Sequence, residues 1–231
     1  MTKIEWTNRT WNPVTGCTAI SPGCANCYAR AMSHRFHWSF EVTCHPERLD
    51  IPLYWRKPRM IFVNSMSDTF HEKVPDDFKR KIFRIILDCP QHTFQVLTKR
   101  PENIARIYDW GQNNLWLGVS AETQEWADRR IRELMKIPAA VRFVSFEPLL
   151  GPINARPYLE RINWCIIGCE SGPKRRECKI EWIESLVDQC REAGVPCFVK
   201  QVSINGRVSK NPDEWPESIR IREWPAGKNP D

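Results

Sequence analysis

The chain has 231 residues, of which 42% are hydrophobic and 27% charged, the composition of an ordinary globular protein. A chain of this length buries roughly 70% of its unfolded surface, so it needs no disulfides to fold, and it fits one barrel-sized domain or two small ones. A formal charge of +6 and a pI near 8.8 would help to retain an anionic partner but do not by themselves establish nucleic-acid binding.

The N-terminus, Met1-Thr-Lys-Ile-Glu-Trp6, has no apolar core, and no run approaches ~18 apolar residues, so neither a signal peptide nor a membrane span is expected. The expected compartment is the cytoplasm, where thiols stay reduced. Ten cysteines in that setting point to metal or redox chemistry more than to a disulfide frame.

In chain order, Thr10-Trp-Asn-Pro-Val-Thr-Gly-Cys17 reads as a first strand. A Gly/Pro-rich loop follows, and Ala25 to Phe36 is helix-compatible. Residues 38–60, irregular and rich in proline and charge, read as an insertion. From there one phrase repeats: an apolar, β-favouring run ends in polar residues, and an amphipathic segment follows. The runs begin near Ile61, Phe94, Leu115, Arg142, Cys165 and Cys197, and such near-continuous apolar runs suit strands buried on both faces of a parallel sheet. Between them, Pro75-Asp-Asp opens a helix with Phe78, Ile82, Ile85 and Ile86 on one face. Ala127, Ile131 and Leu134 mark a second, and Ile180, Ile183, Val187 and Cys190 a third, which Gly194 caps.

A repeat of about ~27 residues is that of compact βα units, and counting the first strand gives six to seven parallel strands. A partial (βα) barrel over residues 1–202 is the first expectation, and an open doubly wound sheet the second. Residues 203–231 have prolines and tryptophans but little periodicity, and read as a tail packed on that domain.

The loop Gly16-Cys-Thr-Ala-Ile-Ser-Pro-Gly-Cys-Ala-Asn-Cys-Tyr28 spaces its thiols Cys-x6-Cys-x2-Cys. Gly16, Pro22 and Gly23 let the backbone curl, as three sulfurs converging on one centre require. The first reading is an iron–sulfur cluster on Cys17, Cys24 and Cys27 with one iron left open; the second is zinc, its fourth ligand His34, His37 or water. The third is three inert cysteines.

Lys3-Ile-Glu-Trp-Thr7, Trp11-Asn-Pro-Val-Thr-Gly-Cys17, Pro22-Gly-Cys-Ala-Asn-Cys-Tyr-Ala29, Phe62-Val-Asn-Ser-Met-Ser-Asp68, Val96-Leu-Thr-Lys-Arg-Pro101 and Arg142-Phe-Val-Ser-Phe-Glu-Pro148 carry a resemblance. The chain, over residues 3 to about 201, resembles the phage-type three-cysteine-motif family, a domain of unknown function similar in turn to radical S-adenosylmethionine (SAM) proteins. That resemblance implies a radical-SAM-like partial barrel and a [4Fe–4S] cluster on Cys17, Cys24 and Cys27; if SAM takes the open iron, Tyr28 and the strand-end residues Ser120, Glu147, Glu170 and Ser171 are its expected contacts. It differs from radical SAM proteins in its first spacer, six residues instead of three, and in Asn26, which stands before the third cysteine where an aromatic is usual. Gly168-Cys-Glu-Ser171 lies at the sixth strand, and no Gly-Gly-Glu-type motif follows an early one.

In a parallel sheet the polar ends of all strands collect on one face, where ligands bind. Asn64, Asp68, Lys99, Arg100, Lys200 and Gln201 are the expected substrate contacts, joined there by Ser67, Thr98 and Glu122. Glu147, between Phe143-Val-Ser-Phe146 and Pro148, needs a ligand or a lysine partner, Lys99 or Lys200. Lys174-Arg-Arg176 would add to a basic rim or remain solvated. Cys165 and Cys169 lie about 13 Å apart along a strand, too far to share a metal, and Cys44, Cys89, Cys190 and Cys197 read as packing residues. Two functions are expected from this face. One is a radical SAM-type enzyme acting through an adenosyl radical on a nucleic-acid or nucleotide-like substrate. The other is a non-catalytic module that binds nucleic acid or a protein through a structural Fe–S or zinc site.

Overall fold

A computed structural model describes residues 4–104, 112–172 and 174–225; the parts of the expected tail beyond residue 225 lie outside the described residues. Eight strands form one sheet: β1 (Arg9–Trp11), β4 (Met60–Val63), β5 (Thr93–Thr98), β6 (Leu115–Ser120), β7 (Val141–Phe146), β8 (Trp164–Gly168), β9 (Cys197–Ile204) and β10 (Arg207–Ser209). They lie side by side in that order. All neighbours are parallel except the β9–β10 hairpin. Since the order never reverses, the doubly wound alternative is excluded: there is no switch point at which the chain turns back across the sheet.

The early strand expected over residues 10–17 is broken in two. Pro13 has no N–H to give a ladder, so β1 ends at Trp11, and β2 (Val14–Thr15) leaves the main sheet to pair with β3 (Thr43–Cys44). β3 and two short 3-10 turns occupy the segment read as an insertion.

The helices are α1 (Tyr28–Arg35), α2 (Asp76–Asp88), α3 (Gln124–Leu134), the single-turn α4 (Arg156–Leu159) and α5 (Ile180–Ala193). The apolar faces of α2, α3 and α5 pack on one side of the sheet, against Ile61, Val63, Leu117, Val119, Val144 and Ile167. The other side carries Met60, Phe62, Trp116, Phe143, Trp164, Ile166 and Phe198, filled by Trp6. Trp6 stands 4.7 Å from Phe62 on β4 and 6.1 Å from Trp164 on β8, ring centre to ring centre. In a flat sheet those strands would be about 19 Å apart, so the sheet must curl around the indole. The curl does not close into a barrel: β1 and β10 remain its two edges. Glu5, just before the plug, reaches across to Arg222 (3.2 Å) and Lys210 (3.6 Å) beyond the far edge.

Candidate functional site at the strand ends

The inward side chains change character along the strands. Near the strand starts they are aromatic; toward the C-terminal ends they become Gly118, Ser120, Ser145, Gly168 and Lys200. Gly118 is required because a Cβ there would stand 2.5 Å from the Phe143 ring. The polar end is therefore the mouth of the curled sheet, and the cysteine loop lies over it.

Strand-end residues pin that loop at several points. Arg100, after β5, donates to Thr18 O (3.1 Å), Thr18 Oγ1 (2.9 Å) and Cys17 Sγ (3.6 Å). Glu122, after β6, accepts from the Gly23 amide at 3.1 Å. Glu170, after β8, accepts from Asn26 Nδ2 at 2.9 Å, and Arg176 bonds the Pro22 carbonyl at 3.0 Å. Tyr28 Oη donates to the Ser65 carbonyl after β4. Gly23 is fitted to this contact, since a Cβ there would lie 2.9 Å from the Glu122 carboxyl carbon.

The three thiols are half-buried, and Cys17 and Cys24 shift in opposite directions. Burial, with the nearby Asp68 charge, pushes the Cys17 thiol up to about 11 despite Arg100 beside it. Burial also raises Cys24, but the Lys99 ammonium and hydrogen bonds from Ile20 and Ser21 outweigh it and hold this thiol below its usual value. Soft, half-buried thiols on one Gly/Pro loop, flanked by two cations, fit the donor chemistry of a soft metal or cluster. Among the described residues, no group of three or more His, Cys, Asp or Glu side chains is gathered at metal-holding distance. His34 and His37 are exposed on and just after the last turn of α1.

The chain matches, over residues 1–220, the model of a family described as a protein of unknown function, DUF5131. It belongs to that family. No curated protein and no solved structure matches it. The roles of residues in this DUF5131 chain must therefore come from its own geometry.

That geometry divides the expected contacts into two groups. The first is committed to structure. Asn64 accepts from Val14 N and donates to Thr69 Oγ1, shaping the turn after β4. Asp68 accepts from Thr98 Oγ1 (2.7 Å), Phe70 N and Lys99 N, and pairs with buried Arg100, which also meets Glu72 at 3.1 Å. Both Glu170 oxygens are taken by Arg176 and Asn26; burial alone would raise its pKa, but these bonds hold it below the usual carboxylate range. Gln201 donates to Cys169 O at 2.7 Å, and Ser67 to Val14 O. In the basic run Arg175 donates to the Gly172 and Gly206 carbonyls. Arg175 and Arg176 border a shallow cavity of about 820 Å³ beside the mouth.

The second group faces the mouth. Glu147 Oε2 pairs with Lys200 Nζ at 3.1 Å and accepts from Ser145 Oγ at 3.4 Å, while Oε1 is buried with no hydrogen-bond partner. Gly168 lies against that oxygen; a Cβ there would stand 2.3 Å from it. Lys99 is half-buried and its charge lowers the pKa of both Cys24 and Glu122, Ser120 ends β6 beside Ser145, and Ser171 is exposed on the loop after β8. Cys165 stands in register with Cys197 on the helix side of the sheet, so it faces the core.

Sequence reasoning did not find the support beneath the loop. Arg130 on α3 is 1% exposed, donates to Glu122 Oε2 at 2.8 Å and to Ser120 O, and lies 4.1 Å from the Trp126 ring centre. Its signal is a lone charge on the α3 face that also carries Ala127, Ile131 and Leu134, where a buried cation requires a partner.

Proposed function

We propose that this protein is an iron–sulfur enzyme of radical SAM type, with a [4Fe–4S] cluster on Cys17, Cys24 and Cys27 over the mouth of a partial barrel. One observation carries the reading. The three-thiol loop is fastened to the ends of several parallel strands, at the same end of the sheet as Glu147, whose second oxygen is buried and unpaired. A buried carboxylate oxygen without a donor is costly, and a ligand bearing an amine or hydroxyl would satisfy it. A cluster held by the three thiols would supply one-electron chemistry: with an electron from an external reductant, SAM would be cleaved to methionine and an adenosyl radical able to take hydrogen from the substrate. The chain's own part is to hold the thiols, shield the mouth and orient ligands with Glu147, Lys200, Lys99, Ser120 and Tyr28. The positive charge favours a nucleic-acid or nucleotide-like substrate, in keeping with the phage-type resemblance.

Anaerobic reconstitution should give brown protein with about four irons and four sulfides per chain. Replacing any of Cys17, Cys24 or Cys27 with Ala should abolish the colour, whereas Cys44→Ala should keep it; stoichiometric zinc without sulfide refutes the cluster. SAM should alter the EPR spectrum of the reduced cluster, and Glu147→Gln should weaken SAM binding while the iron content stays unchanged.

A second reading is a non-catalytic binding module in which a cluster or zinc staples the loop. The commitment of Arg100, Glu170 and Gln201 to internal bonds favours it. Absence of any SAM effect on the EPR signal or in calorimetry would select this module.

A further inference from the structure

Leading out from the mouth, α1 presents aromatic surface that the core does not use. Tyr28, Met32 and Phe36 recur every four residues, hence on one face, and are 45%, 38% and 48% exposed; Trp38, just beyond, is 57% exposed. Phe36 and Trp38 stack at 5.1 Å with 23° between their planes, making one flat exposed surface. The helix end that bears them is fixed. His37 takes the left-handed conformation (φ 56°), its amide bonds His34 O, and the Trp38 amide bonds Ser33 O at 2.9 Å, which is a Schellman termination.

Cations frame this surface. The Arg35 guanidinium lies 5.6 Å from the Phe36 ring centre, and that of Arg30 5.6 Å from Phe40. Neither has a carboxylate partner among the described residues, and residues 6–40 contain no Asp or Glu. Protein interfaces share these aromatics and arginines, so the occupant is decided by charge: a face with cations and no acidic residue over positions 6–40 is complementary to a polyanion. Aromatic planes interleaved with unpaired arginines match the two requirements of a single strand of nucleic acid, unpaired bases to stack and phosphates to neutralise.

We propose that Phe36 and Trp38, with Arg30 and Arg35, form a docking platform for single-stranded nucleic acid. The proposal rests on the reading of the mouth as acting on nucleic acid and names the form of that substrate. From Phe36 back to Tyr28 is about 12 Å along the helix. A stacked strand advances ~3.4 Å per nucleotide, so bases on the platform leave a nucleotide a few positions away at the mouth.

The test measures fluorescence anisotropy of labelled 15-mer oligothymidylate and oligouridylate, and of a 15-base-pair duplex, with the full-length chain over a series of salt concentrations. The single strands should bind more tightly than the duplex. Trp38→Leu and Phe36→Leu should each weaken single-strand binding by at least about fivefold, the low end for one lost stacking contact, while Trp38→Tyr retains most of it. Arg30→Gln with Arg35→Gln should reduce the slope of log affinity against log salt by about 1.4, two phosphate contacts of a single strand. Thermal melting should confirm that these exposed substitutions leave the fold intact. Equal single-strand affinity for the parent and Trp38→Leu overturns the platform. So does a change confined to self-association in sedimentation, which would make the face a contact between copies of the chain. The same titration with metal-stripped protein should give unchanged affinity, so a failed cluster assignment appears in the iron content alone and a failed platform in the anisotropy alone.

Discussion

At the scale of single residues, Glu147 and Gly168 act as a fitted pair. Glu147 is held by Lys200 on one oxygen, and its other oxygen occupies the space that a side chain at position 168 would need. Gly168→Ala should cost about 1–3 kcal/mol in urea denaturation by overpacking this spot. The same substitution in a Glu147→Ala background should cost much less; additive losses would show that the contact is not the source of strain. His92 sets a pH response of its own. It is 1% exposed, its Nε2 lies 3.2 Å from Pro52 O, and burial holds its pKa below the ordinary 6.5. The native imidazole therefore stays neutral while the unfolded chain takes up a proton, so stability is full above about pH 6.5 and falls as the pH drops below it. His71 shifts in the same direction, so one substitution removes only part of the effect. His92→Gln should flatten the loss of stability between about pH 7 and pH 5; an unchanged profile would remove His92 from the account.

At the scale of elements, α3 is tied to the strand ends by a buried ion pair. Glu122 and Arg130 are 0% and 1% exposed in their side chains, and Nε and Nη2 of Arg130 have no hydrogen-bond acceptor. Glu122→Ala strands the guanidinium and should cost about 3–5 kcal/mol, whereas Glu122→Ala with Arg130→Met should recover most of that in denaturant titrations. A double variant as unstable as the single one would place the effect in the Gly23 contact instead. The strands themselves were legible. Runs expected to start near residues 61, 94, 115, 142, 165 and 197 fall within a residue of β4 to β9, because strands buried on both faces must be continuously apolar. β10 was hidden, since three residues carry no period. Its only signal is Asn205-Gly206, with φ of 49° and 71°, a hairpin turn inside a stretch read as tail. The position of the cysteine loop, between the first strand and the first helix, was legible from its Gly/Pro content. Its supports were not: Asn26 and Glu170 are 144 positions apart, and no local pattern joins them.

At the scale of the whole molecule, the sheet depends on a plug supplied by the other end of the chain. Trp6 is 2% exposed and touches rings on three strands, so Trp6→Ala should cost about 3–5 kcal/mol and expose the inner aromatics to a hydrophobic dye. The half-exposed pairs of Glu5 with Arg222 and Lys210 should contribute no more than ~1 kcal/mol, so Glu5→Ala is expected to be nearly silent in the same melts. A silent Trp6→Ala would mean that the strands hold their curl without the plug. The sequential strand order lets each βα unit dock on the one made before it, in step with synthesis. The plug obeys a different clock. Glu5 must wait for its partner, since Arg222 follows 217 positions later. Trp6 can be covered on all three sides only once β8 has followed β4 and β7, and the ion pair beside it closes later still, when Arg222 is made.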